Sequence, residues 1–149
     1  EGEKHGCKQV IFKDPHRGDA IEELGGMNVF FIFGKENKIV TPELTGTILE
    51  GVTRSSLIQL AKDRGMTVEE RAITLTEWRE GVANGDITEI FACGTAAVVA
   101  PIGKLKAEDF EIPAPTEHFG EISKSLREEL VGIQTGVVED RHGWLTRLI

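Results

Sequence analysis

Residues 28–41 read NVFFIFGKENKIVT and carry the strongest fold signal in the chain. Asn28 to Phe33 are of strand length and continuously apolar from Val29 onward, which is typical of a strand buried on both faces. Gly34 to Lys38 are polar and turn-like, and Ile39 to Thr41 resume the extended pattern. The stretch therefore predicts a β-hairpin whose first strand lies in the protein core.

Strands and helices are predicted on both sides of this hairpin. Thr53 and Thr76 are typical N-cap residues, and Gly65 is typical of the position just after a helix end. The mixed order predicts one α/β (α+β) domain whose sheet contains both hairpins and crossover connections. The predicted strands are residues 8–12, 68–75, 89–93 and 97–102, and the predicted helices are residues 53–64, 77–83 and 117–131.

The composition excludes several classes of protein. With 149 residues, 40% hydrophobic and 28% charged, the chain is expected to form one globular domain rather than a disordered segment. Its longest apolar run, Val29 to Phe33, is far too short to span a bilayer, and the front of the chain has no secretory signal pattern. A net charge of −8 argues against nucleic-acid binding. We therefore expect a cytoplasmic protein with no membrane or nucleic-acid partner.

Cysteine and histidine are sparse and scattered. Cys7 and Cys93 match no paired spacing for zinc binding or thiol redox work, although one disulfide between them stays open. Two reduced, mostly buried thiols are the better interpretation because nothing else indicates secretion. None of the four histidines forms a metal-binding pair, so no metal site is expected.

Three short segments contain residues that plain packing does not explain, and the first is 22–28. A carboxylate directly before a glycine pair and an apolar strand can be carried toward the interior, where it needs a charged or hydrogen-bonded partner. Alternatively, Glu22 and Glu23 are both exposed in a loop, which position alone favours.

The other two segments could bind an anion. Residues 49–54 open a predicted helix, where free N–H groups, the close approach allowed by Gly51 and the Thr53 hydroxyl suit a phosphate. Simple capping by Thr53 is the commoner alternative. Residues 92–97 predict a tight turn whose N–H groups and Thr95 hydroxyl could also meet an anion, or a β-turn of small residues that serves packing. Together the segments predict a phosphorylated ligand with a basic nitrogen.

In this order the three segments resemble those of the branched-chain amino acid aminotransferases, which are pyridoxal-phosphate enzymes of fold type IV. The resemblance implies the large domain of that fold, a mixed sheet or pseudo-barrel with surrounding helices. It rests on residues 22–31 for the cofactor nitrogen, 41–54 for the phosphate, 89–96 for the phosphate and substrate carboxylate, and 132–136 with 142–144 for the C-terminus.

The resemblance also implies roles for individual residues, with pyridoxal 5′-phosphate as the cofactor. A carboxylate on the pyridine nitrogen keeps it protonated, so that the ring can accept electrons from the substrate Cα. Gly26 stands where some relatives carry threonine, which implies a slightly roomier substrate pocket. The implied cofactor-binding residues are Glu23, Val52 (through its N–H), Thr53 and Thr95, and the implied substrate-binding residues are Gly26, Thr95 and Ala96.

The resemblance also implies that the residue which reacts with the cofactor is not in this chain. The family's Schiff-base lysine is expected upstream of Glu1, so no catalytic residue is expected in this chain, and Lys4, Lys8 and Lys13 are interpreted as surface residues. Residues 1–149 are therefore interpreted as the C-terminal large, cofactor-binding domain, missing its N-terminal part and the small N-terminal domain. The intact homodimeric enzyme is expected to transfer the amino group of leucine, isoleucine or valine to 2-oxoglutarate, and the chain alone is expected to be inactive.

Two alternatives stay open. D-amino acid aminotransferase and aminodeoxychorismate lyase have the same fold type, with a similar glutamate for the cofactor nitrogen and similar phosphate-binding segments. A non-catalytic module that binds a phosphorylated ligand or a partner protein is an alternative of another class.

Overall fold

A computed structural model describes residues 2–116 and 118–148. Within these ranges, no helix is long and apolar enough to cross a membrane. Short 3-10 turns occupy Gly2–His5 and Gly34–Glu36. In chain order the other elements are β1 (Ile11–Lys13), β2 (Ile21–Leu24), β3 (Asn28–Phe33), β4 (Lys38–Thr41), α1 (Val52–Asp63), β5 (Thr67–Glu70), α2 (Leu75–Ala83), β6 (Ile87–Gly94), β7 (Val98–Pro101), β8 (Lys104–Lys106), β9 (Glu111–Pro113) and α3 (Glu121–Gln134).

A five-stranded mixed sheet with the order β5-β4-β3-β6-β7 forms the framework of the fold. Four of its strands pair antiparallel, and β5 joins β4 in parallel after the crossover through α1. The sheet contains the predicted 28–41 hairpin as β3 and β4, with β3 at its centre. The α/β fold class, with hairpins and a crossover in one sheet, is confirmed.

Both faces of β3 are covered, which explains why this strand is apolar at successive positions. Phe30 and Ile32 lie in one core cluster with residues of α1 and α3, and Phe31 lies in a second cluster with Trp78 of α2. Phe30 stacks on Phe91 of β6 with ring centroids 5.1 Å apart, and Phe31 meets Trp78 edge-on at the same distance. Side chains alternate between the two faces of a strand, so a strand packed on both sides needs apolar residues throughout.

Helix α1 ends as predicted but begins differently. Its N-cap is Gly51, without a side-chain capping bond, and Thr53 is the second helical residue. The prediction of Thr53 as N-cap is therefore wrong. At the other end Gly65 has φ +72° and its N–H donates to the Lys62 carbonyl at 2.9 Å, while the Met66 N–H donates to the Ala61 carbonyl at 3.0 Å. This is a Schellman termination, for which glycine is favoured because its φ is positive.

The start of α2 also differs from the prediction. Thr74 is the N-cap, and its hydroxyl accepts the Glu77 N–H at 3.0 Å. Thr76 lies inside the helix, and its hydroxyl donates to Asp19 at 2.8 Å instead. The strand predicted over 68–75 is correspondingly short, because the chain leaves the sheet after Glu70 to enter the helix.

The remaining differences concern short or displaced elements. Helix α3 starts at Glu121 rather than at Glu117, which lies outside the described residues. β1 is displaced toward Lys13 from the predicted 8–12, and β2 was not predicted. β8 and β9 were also missed, since they are three residues each and pair with each other outside the main sheet. Such strands depend on a neighbour in space and lack the apolar run that marks β3.

Candidate functional site

The three segments that the sequence singles out approach one another where β3 begins. Asn28 follows the Gly25–Gly26 turn that joins β2 to β3. It pairs with Cys93 of β6, so the 94–97 region continues from the same end of the sheet. The Asn28 side-chain amide donates to the Leu49 carbonyl at 2.9 Å, which brings the segment before α1 to this place. One end of the sheet therefore collects parts of all three segments.

Glu23 presents a carboxylate oxygen that has no donor. Glu22 and Glu23 both lie in β2 and are half-buried, so the alternative of two exposed loop residues is wrong. Glu22 accepts a hydrogen bond from the Thr47 hydroxyl. The Glu23 Oε2 is buried without a hydrogen-bond partner, and the only other such atom among the described side chains is Trp78 Nε1. An unpaired buried carboxylate oxygen is unfavourable, so this position suits a bound N–H donor.

The N-terminus of α1 is open to an anion. The first helical hydrogen bond runs from the Ser55 N–H to the Gly51 carbonyl at 3.0 Å, which leaves the amides of Val52, Thr53 and Arg54 without partners in the helix. Val52 is 82% exposed, and the first turn holds no acidic side chain. The Thr53 hydroxyl makes no hydrogen bond to the residues that the structure describes. Unpaired amides and the helix dipole together favour a negative group here.

Arg54 is a structural residue of this site to which the sequence analysis assigned no role. Its side chain is buried, and Nη2 donates to the Pro42 carbonyl and to Glu70, each at 2.9 Å. The start of α1 is thereby attached to the ends of β4 and β5. The sequence does contain a pattern that indicates burial of Arg54. This residue shares helical spacing with buried Leu57 and Ile58 on the inward face of α1.

The turn between β6 and β7 supplies the third set of groups. Thr95 and Ala96 are exposed in this turn, and no described residue bonds the Thr95 hydroxyl. Gly94 pairs with Val98, which has φ +57°. Positive φ is rare for a β-branched residue and costs on the order of 1–3 kcal/mol, a strain that is found most often at functional sites.

Gly26 lies in the first of the three segments, and Cys93 lies in the third. Gly26 has φ +83° and is exposed, and a Cβ built on it would meet no atom within 4 Å. Burial raises the pKa of the Cys93 thiol to about 12, although the nearby Arg54 charge opposes the shift. Cys93 is therefore a packing residue of β6 and not a nucleophile at neutral pH. No group of three or more His, Cys, Asp or Glu side chains in the described parts of the chain is placed to hold a metal ion.

A family profile and two named relatives match the sequence of this chain. The profile of the family described as Amino-transferase class IV matches residues 1–105. The branched-chain-amino-acid aminotransferase of Mycolicibacterium smegmatis is 49% identical over 145 residues, which cover 96% of this chain and 39% of that protein. The protein of the same name from Mycobacterium tuberculosis is 47% identical, over 99% of this chain and 41% of its own length. The chain thus spans about two fifths of these curated relatives.

Solved structures give the same picture. The branched-chain amino acid aminotransferase from Escherichia coli superposes with a TM-score of 0.78 at 30% identity, over 97% of this chain and 44% of that one. The branched-chain aminotransferase from the thermophilic archaeon Thermoproteus uzoniensis, solved with norvaline, gives a TM-score of 0.76 at 29% identity, over 97% of this chain and 43% of that one. The sheet and helices described above are therefore those of fold type IV.

Proposed function

The chain belongs to the class IV amino-transferase family, and on that premise we propose that it is the cofactor-binding part of a longer branched-chain amino acid aminotransferase. The observation that carries the proposal is the unpaired Glu23 Oε2 on the strand that turns into β3, whose first residue bonds the segment before the uncapped N-terminus of α1. Pyridoxal phosphate bears a protonated ring nitrogen and a phosphate, one for each of these features. The residues therefore fit this cofactor.

Glu23 is proposed to accept the N–H of the pyridine ring. An ionised carboxylate at this position holds the proton on the ring nitrogen, because the opposite charges stabilise each other in a poorly solvated place. With that proton in place, the bound cofactor acts as an electron sink for the Cα of the substrate. Glu22 points to the opposite face of β2, as successive residues of a strand do, and has no part in this contact.

The phosphate is proposed to lie between α1 and the β6–β7 turn. The N–H groups of Val52 and Thr53 and the Thr53 hydroxyl would donate from the helix, and Thr95 would donate from the turn. These oriented N–H and O–H groups stabilise the charge of a bound phosphate from the side of the site that this chain supplies. In support, neither threonine hydroxyl is engaged within the described structure.

The substrate is proposed to be leucine, isoleucine or valine, with 2-oxoglutarate as the amino-group acceptor. The backbone at Thr95 and Ala96 would hold the substrate carboxylate, and the open space at Gly26 would leave room for a branched side chain. The names of two relatives, 49% and 47% identical to this chain, support a branched-chain amino acid as the amino-group donor.

The reactive lysine is proposed to lie in the part of the longer protein that this chain does not cover. The chain spans about two fifths of its relatives, and none of its lysines lies in a segment that resembles the family's lysine segment. We accordingly propose that residues 1–149 are most of the large domain and are inactive alone. A cytoplasmic homodimer is proposed for the whole protein, and exposed Phe12, Leu49 and Val52 are surface that other parts of such an assembly could cover.

Adjacent glutamates provide a matched test of the proposal. In the full-length protein, Glu23→Gln should lower the rate of glutamate formation from leucine and 2-oxoglutarate by at least about tenfold, the scale of one lost charged hydrogen bond. Glu22→Gln changes the preceding residue of the same strand and should stay within about twofold of wild type, since the hydrogen-bond partner of Glu22 is the hydroxyl of exposed Thr47. Equal activity of the two variants would refute the role of Glu23.

Two further assays test the remainder of the proposal. Assays of D-amino acids and of aminodeoxychorismate should show no turnover, and a preference for either would favour the corresponding alternative enzyme. The 149-residue chain mixed with pyridoxal phosphate, leucine and 2-oxoglutarate should form no glutamate. Transamination by this chain would show that the reactive lysine is not missing from it.

A further inference from the structure

We propose that Asn28 is a positioning residue that holds the N-terminus of α1 where it can bind the cofactor phosphate. The inference rests on the proposed function and extends it to a residue to which that function assigns no contact with cofactor or substrate. It is carried by two contacts of one buried side-chain amide with the segment that leads into α1.

The first contact is a hydrogen bond to the chain before the helix. Asn28 is 6% exposed, and its Nδ2 donates to the Leu49 carbonyl at 2.9 Å. The same carbonyl accepts the Gly51 N–H at 2.9 Å, which forms the bend into α1. Of the described side chains, only that of Asn28 donates a hydrogen bond to residues 48–51. Leu49 itself is largely exposed, so its own side chain does little to fix this bend.

The second contact uses the other end of the amide. A Cβ built on Gly51 would lie 2.4 Å from Asn28 Oδ1, so glycine is required for the N-cap to approach this closely. Gly51 has φ −71° and ψ 131°, which any residue adopts, so the requirement is one of space and not of backbone conformation. The amide thus bonds the chain on one side of the bend and abuts the N-cap itself on the other.

The position of Asn28 in the sheet explains why these contacts matter to the site. As the first residue of β3, it follows the turn from the strand of Glu23 and pairs with Cys93, next to the turn of Thr95. Its backbone therefore follows directly from the strand of Glu23, the proposed ligand of the ring nitrogen. Its side chain positions the N-terminus of α1, the proposed ligand of the phosphate. Buried side chains that lock a ligand-binding backbone in this way control affinity because they preorganise the donors.

Asn37 provides a control with the same chemistry at the opposite end of α1. Its Nδ2 donates to the Gly65 carbonyl at 3.2 Å, just beyond the C-terminus of the helix. Asn37→Gly removes one amide-to-carbonyl bond near α1, as Asn28→Ala does, but leaves the helix N-terminus untouched. Glycine is used because Asn37 has φ +47°, where alanine would add backbone strain. Both substitutions are neutral, so neither adds a charge that would repel phosphate.

The experiment compares the affinities of pyridoxamine 5′-phosphate and pyridoxamine for the cofactor-free, full-length protein. Neither compound carries an aldehyde, so neither forms an adduct with lysine, and their ratio isolates the phosphate contribution. Asn28→Ala should reduce the preference for the phosphorylated compound about fivefold to tenfold, the scale of one hydrogen bond, and should change the affinity for pyridoxamine less than about twofold. Asn37→Gly should leave the preference unchanged.

Each outcome has a distinct meaning. An unchanged preference in Asn28→Ala, or an equal loss of affinity for both compounds, overturns the positioning role. Should Asn28→Ala fail to fold by circular dichroism, the same ratio is measured in Gly51→Ala, whose Cβ must displace the Asn28 amide, and an unchanged ratio there overturns the inference. A wild-type protein that shows no preference for the phosphorylated compound refutes the proposed function instead.

Discussion

Glu89 caps a helix that is remote from it in sequence, and its removal should destabilise the protein strongly. The side chain is buried on β6, with Oε1 accepting the Ile122 N–H at 2.9 Å and Oε2 accepting the Ser123 N–H at 2.8 Å. These amides belong to the first turn of α3, whose N-cap Gly120 makes no side-chain capping bond. A Cβ on Gly120 would lie 2.0 Å from the Glu89 Cδ, so the carboxylate occupies the place of a local cap.

The magnitude follows from those two bonds. A hydrogen bond to a charged group contributes roughly 1.5–3 kcal/mol, and loss of the carboxylate also leaves two amides at the sheet–helix boundary unpaired. Allowing for some solvation of the vacated space, Glu89→Ala should lower the free energy of unfolding by about 3–4 kcal/mol. Glu89→Gln keeps one acceptor oxygen but turns an NH₂ toward the second amide. It should therefore lower the free energy of unfolding by about 2 kcal/mol.

Urea titration followed by tryptophan fluorescence measures these differences. Glu121→Gln is the control, because Glu121 lies in the same first turn, is exposed and makes no hydrogen bond to the described residues. Only its favourable interaction with the helix dipole is lost, worth about 0.3–1 kcal/mol. The reasoning fails if Glu89→Ala costs no more than Glu121→Gln, or if Glu89→Gln is as stable as wild type.

Two further predictions concern ionisation. Because burial raises the pKa of Cys93 to about 12, iodoacetamide should leave Cys93 unmodified in the native protein at about pH 8 and modify it after denaturation, as followed by peptide mass spectrometry; native modification would contradict its burial. The hydrogen bonds from His142 and Gln59 lower the pKa of Asp63 below its ordinary 3.8. Ionised Asp63 therefore stabilises the fold above that ordinary value, and the contribution is lost as the pH falls through the lowered one. Thermal unfolding of wild type and Asp63→Asn from about pH 2 to 6 should show a gap that closes in acid, and a gap that widens there would refute the assignment.

Several elements were readable from local pattern. The bounds of β3 agree with prediction at both ends, because a strand packed on both faces must be apolar and the run stops at Gly34. Gly65 and the apolar stripe of α3, with Leu126, Leu130 and Ile133 buried, were also predicted correctly, since periodicity and a left-handed glycine are local properties. The three motifs were enough to identify the family before any contact between them was known.

The helix starts show where local pattern becomes ambiguous. Thr74 and Thr76 are both acceptable N-caps, and only the path of the chain out of β5 selects Thr74. Thr53 likewise has the right residue type to cap α1, yet the helix begins one residue earlier. When two neighbouring residues have similar preferences for the N-cap position, local sequence cannot tell which one begins the helix. The packing of the chain then determines where the helix starts.

Only the tertiary structure decided which polar groups meet. Asn28 reaches Leu49 across 21 residues of sequence, and Glu89 reaches Ile122 across 33. The sequence already points to Glu23, but only the folded structure shows that one of its carboxylate oxygens is buried without a donor. The apolar pattern determines which faces are buried, since burial depends on the residue and its periodicity. Hydrogen bonds between distant segments depend on ångström-scale geometry, which exists only once those segments have packed.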